Sequence, residues 1–239
     1  MTSNVAQKLI HAVEEADSST KLVEAVQNLA ALGLEEAVPT LIAALGYNNP
    51  GAAVAAVDGL ILVGSKAVKP LLELIDNYNY GARAWAVRAL AGIGDPRGFE
   101  TLLDAAKNDF ALSVRRAAAR GLGTIRWQEM PLQQAQNSQS QALETLVEVC
   151  SDPEWVVRYA AVTGLEALSL AICETQPEKL PQITAQLLQM ASDDEEIAIR
   201  ARAWMALHPL QNNTELPKIR FTESQEEKEV PSRGGGRRL

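Results

Sequence analysis

A leucine returns along this chain at Leu29, Leu60, Leu90, Leu122, Leu165 and Leu207, and the residues around it return with it. The intervals are 31, 30, 32, 43 and 42 residues. Self-similarity at this period marks a supersecondary unit repeated along the chain, and it constrains the fold more than any composition does. Residues 37–64 realign with 67–94, 99–125, 143–168 and 183–207, and residues 4–33 form a looser first copy. Each copy reads as a short apolar helix, a turn, and a second helix whose small and apolar residues recur at i, i+3, i+4 and i+7. Such a hairpin cannot bury its apolar faces alone, so neighbours must stack. The prediction is an all-α, right-handed α-solenoid of about six helical hairpins over residues 1–210, with the second helices on the concave side.

Turn chemistry falls where this register needs it. Asn49-Pro50-Gly51, Asp76-Asn77, Asn108-Asp109, Ser151-Asp152-Pro153 and Ser192-Asp193-Asp194 are each placed to cap a second helix, and Gly33, Gly64 and Gly94 to close one. The long intervals come from two inserts. Residues 128–141 are glutamine-rich and residues 169–181 carry Pro177 and Pro181, so both read as extended connections between repeats. From Gln211 the period stops, and residues 211–239 read as a polar, disordered tail. Only 5% of residues are aromatic, which fits helices brought close together by alanine.

Charge and residue usage exclude several functions. A formal charge of -8 opposes the phosphate backbone, so no nucleic-acid ligand is expected. With His11 and His208 the only histidines, and with Cys150 and Cys173 lacking ligand spacing, no metal site can be assembled. Both cysteines read as small buried residues rather than nucleophiles. The apolar run at residues 52–57 is far below the ~20 residues of a membrane span, so a cytoplasmic chain without one is expected.

Two stretches carry a resemblance. Residues 89–98 (ALAGIGDPRG), preceded by residues 67–72 (AVKPLL), resemble the HEAT-like repeat of the phycobilisome lyase superfamily, with coverage of roughly residues 5–210. Residues 76–90 (DNYNYGARAWAVRAL), together with chain length and repeat order, resemble the F-type subunits of the heterodimeric E/F bilin lyases. The resemblance implies an enzyme subunit that is completed by an alpha (E-type) partner. The pair would attach phycocyanobilin through a thioether to a cysteine of the phycocyanin alpha subunit, with the bilin as bound substrate and no cofactor. Isomerising relatives carry a His-Cys pair near the position of residues 78–81, and neither residue stands there in this chain. Simple addition of a thiol to an ethylidene group is therefore expected. The alternative is a non-catalytic repeat adaptor that binds phycobiliproteins during antenna assembly or degradation.

Candidate site residues follow from the register. Seven positions before the anchoring leucine stand Arg83, Arg115, Arg158 and Arg200, either an anion site or partners for the turn acids Asp76, Asp109, Asp152 and Asp193. Two positions before it stand Asp58, Arg88 and Arg120, on the outward face of the second helix. A linear tetrapyrrole carries two propionates and a run of pyrrole N–H groups, so Arg83, Arg88 and Arg120 suit the first and Asp58 or Asp76 the second. Tyr78, Tyr80 and Trp85 gather in one repeat and suit a flat conjugated ligand. Trp127, Trp155 and Tyr159 either extend that wall or pack under the glutamine-rich insert. Asp76 and Tyr80 are the candidate catalytic acids, either able to protonate the bilin carbon as sulfur adds.

Overall fold

The computed structural model describes the backbone of residues 2–76 and 80–213 and the side chains of residues 4–75 and 82–210. Tyr78 and the expected tail beyond residue 213 lie outside the described residues, as do the side chains of Asp76 and Tyr80. Among the described residues there are α-helices and 3-10 turns and no strand. The helices are α1 (Thr2–Glu14), α2 (Ser19–Ala30), α3 (Val38–Leu45), α4 (Pro50–Val63), α5 (Ser65–Asp76) and α6 (Tyr80–Ile93). They continue as α7 (Phe99–Asn108), α8 (Leu112–Leu122), α9 (Leu132–Val149), α10 (Trp155–Ile172), α11 (Leu180–Asp193) and α12 (Ile197–Asn213). Odd and even helices pair into six hairpins, and the even helices stack in sequence as α2, α4, α6, α8, α10 and α12. The odd helices contact one another less extensively, which makes the even row the tight inner layer of a solenoid.

Small residues create that tight layer. A Cβ added at Gly59 on α4 would lie 2.6 Å from Cβ of Ala30 on α2, and one added at Gly121 on α8 would lie 2.5 Å from Cβ of Ala91 on α6. Both positions precede the anchoring leucine by one and face the residue that follows it on the preceding even helix. All six anchoring leucines are 2% exposed or less, so the sequence register and the core coincide. The helix ends are set locally. Oδ1 of Asn49 accepts from Ala52 N at 3.1 Å to cap α4, and its amide donates to Ser19 Oγ at 3.0 Å, which ties the second hairpin to the first. Gly33, Gly64 and Gly94 end α2, α4 and α6 at φ of 58°, 72° and 65°, a left-handed backbone that favours glycine.

The inserts correct one expectation. The glutamine-rich stretch is not a loop but the first turns of the 18-residue α9, and residues 169–172 prolong the 18-residue α10. Glutamine propagates a helix well, and Ala135, Ala142 and Leu143 give this stretch a buried stripe. Its polar groups are satisfied in place: Gln176 Nε2 donates to Gln139 Oε1 at 2.7 Å and to Gln136 O at 3.3 Å. The fifth hairpin is therefore longer than the others. α10 has the length and apolarity of a membrane helix, yet it packs between α8 and α12 and is mostly buried there.

Candidate functional site

Three of the arginines seven positions before the anchor, Arg83, Arg115 and Arg158, form rungs from the third hairpin to the fourth, the fourth to the fifth and the fifth to the sixth. Arg83 Nε donates to Asp109 at 2.7 Å, Arg115 donates to both carboxylate oxygens of Asp152 at 2.7 and 3.1 Å, and Arg158 to those of Asp194 at 2.8 and 3.0 Å. Each of these aspartates also accepts a backbone N–H two residues on, from Ala111, Glu154 and Glu196, and so starts the even helix that follows. Nη1 of Arg115, Arg158 and Arg200 donates to two carbonyls of its own turn, five and six residues back. Burial, the largest single influence, pushes the Asp194 carboxyl up, but the hydrogen bonds from Arg158 and the Glu196 backbone N–H, with the charges of Arg158 and Arg200, together outweigh it and hold the group below its usual value. The last rung uses Asp194 and not Asp193, because the backbone bond to Glu196 turns that carboxylate inward. Of the two readings open for Arg83, the contact to Asp109 is the one the structure displays.

A second polar cluster pins the opposite edge, where one hairpin leads into the next. Asp95 accepts from Arg97 through the backbone N–H at 3.0 Å, Nε at 2.9 Å and Nη2 at 2.8 Å, with Arg126 Nη2 3.6 Å away. The Arg97 bonds hold the Asp95 carboxyl down at about 2. Arg97 and Arg126 reach back to Ser65, and Arg126 also bonds Ile93 O and Glu129.

Between the two edges lies the exposed face of the even helices, and its arginines behave differently. Arg88 on α6 and Arg116 and Arg120 on α8 are exposed and have no acidic or carbonyl partner among the described residues. Arg116 and Arg120 are four apart and so share one face of α8. The close approach of Gly121 to Ala91 sets that face beside α6. The guanidinium of Arg88 stands over the half-buried Trp85 ring, 5.7 Å from its centroid. On α4 Asp58 is exposed at the rim of a depression of about 290 Å³ lined by Gln27, Val54, Ala55 and Leu62. On α10 Tyr159 is exposed at the same register as Arg116, six positions before the anchor. Asp58, Trp85, Arg88 and Arg120 thus share one surface running from α4 to α8, and it carries cations that the protein itself leaves unneutralised.

Other expectations divide. Trp127 is buried, packed edge-on to Phe99 with centroids 5.8 Å apart, and belongs to the core. Trp155 is exposed at the start of α10 and does not pack under the insert. Cys150 is buried, and burial, with the Asp194 charge second, pushes its thiol up to about 12. Cys173 is exposed, contrary to expectation, because α10 ends one residue before it. Arg116 is absent from the candidates named from sequence, although its i, i+4 spacing to Arg120 was a signal available; Tyr159, named there as wall or packing, is exposed.

The HEAT-repeat family matches residues 52–123, 68–166 and 100–208, and the phycobilisome lyase HEAT-like repeat matches residues 22–47. The phycocyanobilin lyase subunit beta of Pseudanabaena tenuis is 57% identical over 232 residues, 96% of this chain and 82% of the relative. The phycocyanin alpha phycocyanobilin lyase CpcF of Synechocystis is 60% identical over 68% of this chain and 76% of the relative. A solved complex of CpcE and CpcF of phycocyanin lyase from Nostoc aligns with a TM-score of 0.64 and 48% identity, over 71% of this chain and 97% of that one. The shared repeat, and identity of this degree along nearly the whole length, give the assignment: the chain belongs to the beta, or F-type, subunits of the HEAT-repeat phycocyanobilin lyases.

Proposed function

We propose that this chain is one half of a heterodimeric bilin lyase that acts with an E-type subunit. The pair attaches phycocyanobilin to a cysteine of the phycocyanin alpha subunit in the cytoplasm of a cyanobacterium. The names of its relatives support the reaction and the partner. The observation that carries the site is the set of Arg88, Arg116 and Arg120, unpaired on one face of a chain whose net charge is -8. Every other arginine with a described side chain bonds a carboxylate or a backbone carbonyl. A surface that keeps three guanidinium groups open is suited to a ligand with more than one carboxylate, which the two propionates of a bilin supply.

Trp85 lies in position to stack on the pigment plane while Arg88 and Arg120 hold the propionates, with Arg116 one helical turn away. Asp58 accepts from pyrrole N–H groups at the α4 end. In the reaction the acceptor's thiol sulfur bonds to the ethylidene carbon of the pigment, and the proton lost by the thiol is matched by one gained at the neighbouring ring carbon. The lyase need not supply the nucleophile. It holds the pigment extended and keeps the reacting atoms together, which is catalysis by proximity. Asp76 and Tyr80, next to this face in sequence, are the proposed sources of the proton.

Incubation with phycocyanobilin, with and without the E-type subunit, tests the reading. A change in pigment absorbance followed by transfer to the acceptor supports it, and absence of both favours the adaptor. Tyr80→Phe and Asp76→Asn separate proton delivery from binding. Loss of transfer with retained pigment binding identifies the acid, and wild-type transfer in both removes the role from both residues.

A further inference from the structure

One helical turn before the pigment face, the starts of the even helices collect large apolar side chains. Ten positions before the anchoring leucine, at the start of three consecutive even helices, stand Leu112, Trp155 and Ile197, exposed by 41%, 45% and 73%. Phe110, two residues before Leu112, is exposed on the same turn. Stacked even helices lie about 8–10 Å apart, so this row makes a ridge about 20 Å long. Contiguous exposed apolar surface of a few hundred Å² marks an interaction site on a soluble chain. The arginine rungs fix the ridge. Arg115 bonds the carbonyls of Asp109 and Phe110 and the carboxylate of Asp152, while Arg158 bonds those of Asp152, Pro153 and Asp194, so the three turns are clamped at a set spacing. Around it the exposed acids Glu154 and Asp193 leave a negative rim, since the nearby Lys107 is already paired with Glu148 at 2.7 Å and Arg158 with Asp194 and Glu195.

We infer that this turn edge is the surface on which the E-type subunit docks, through apolar side chains surrounded by lysine and arginine. The inference rests on the heterodimeric lyase reading above. Two features select this occupant over the acceptor protein. Permanent interfaces have an apolar core, whereas an acceptor that must leave after each turnover is served by a more polar surface. The acidic rim calls for a basic partner face, and the row adjoins the cationic face one helical turn away, since Leu112 is four residues before Arg116 and Trp155 four before Tyr159, so the subunit that completes the lyase docks beside the pigment.

The test uses the full chain with its E-type partner. Trp155→Glu with Ile197→Glu should weaken the heterodimer at least 100-fold by sedimentation or calorimetry, while Trp155→Phe leaves it within about threefold. Because these side chains are exposed, the melting temperature of the chain alone should change little. Glu154→Lys with Asp193→Lys should weaken association several-fold at low salt and less at high salt. A photo-crosslinker at Leu112 provides a reading that does not depend on folding of the charged variants, and its product should contain the E-type subunit. Wild-type association in the double variant, or a crosslink to phycocyanin alpha or to a second copy of this chain, overturns the assignment. Failure of the lyase reading looks different: the heterodimer would form through this edge, yet neither bind nor transfer pigment.

Discussion

Arg115 and Arg116 are adjacent in α8 and meet opposite fates. Arg115 turns toward the hairpin edge, spans to Asp152 on the next hairpin and is 13% exposed. Arg116, about 100° further round the helix, points to open surface with no partner among the described residues. The same side chain is thus a structural rung at one position and an unsatisfied cation at the next. Arginine content therefore says little about an anion site; what matters is which arginines the fold leaves without an acid. In this chain the edges consume Arg83, Arg97, Arg115, Arg126 and Arg158, and the exposed face of the even helices retains Arg88, Arg116 and Arg120.

The largest expected effect comes from breaking a rung. Arg158→Ala leaves Asp194 buried and unpaired, and should lower the unfolding free energy by about 3–5 kcal/mol, measured by urea denaturation. Arg116→Ala should stay within about 0.5 kcal/mol of wild type in the same assay.

A pH effect of intermediate size should come from the opposite edge. The Asp95 carboxyl is held down at about 2 in the folded chain, mainly by Arg97, against about 4 when unfolded. Its contribution is present above the unfolded value and is lost as pH falls through the folded one, so it should fade between about pH 4 and pH 2. Over that window wild type should lose about 2 kcal/mol relative to Asp95→Asn, read from urea midpoints at each pH.

The adjacent arginines sharpen the comparison at smaller amplitude. Arg115→Lys keeps the charge but loses the two-pronged contact to Asp152, and should cost about 1–2 kcal/mol of stability. Arg116→Lys should cost no stability and reduce pigment affinity only a few-fold, since a lysine still offers a cation to a carboxylate.

These contrasts also mark how far the sequence could be read. The hairpins were legible because leucine burial repeats: the same six positions that set the period are all 2% exposed or less. The rungs were legible as alternatives, since an arginine and an acid recur at fixed places, but choosing Asp194 over Asp193 required the turn geometry. The glutamine-rich insert was misread because it lacks the apolar density of its neighbours, and its helix is held partly by side-chain amides bonded across to residues 175 and 176. Arg116 escaped notice because its column holds Val54, Ala84, Tyr159 and Ala201 in the other repeats, so no periodicity announced it. A site that breaks a repeat is visible only once the repeat has been folded and its partners counted.

The most direct measurement is a phycocyanobilin titration of the assembled heterodimer carrying Arg88→Ala, Arg116→Ala and Arg120→Ala together, followed by pigment absorbance. Each lost charge-assisted hydrogen bond is worth about 1.5–3 kcal/mol, so affinity should fall by at least 100-fold, with the melting temperature and heterodimer assembly unchanged. Wild-type affinity in the triple variant would contradict the assignment and move the pigment off this face of the chain.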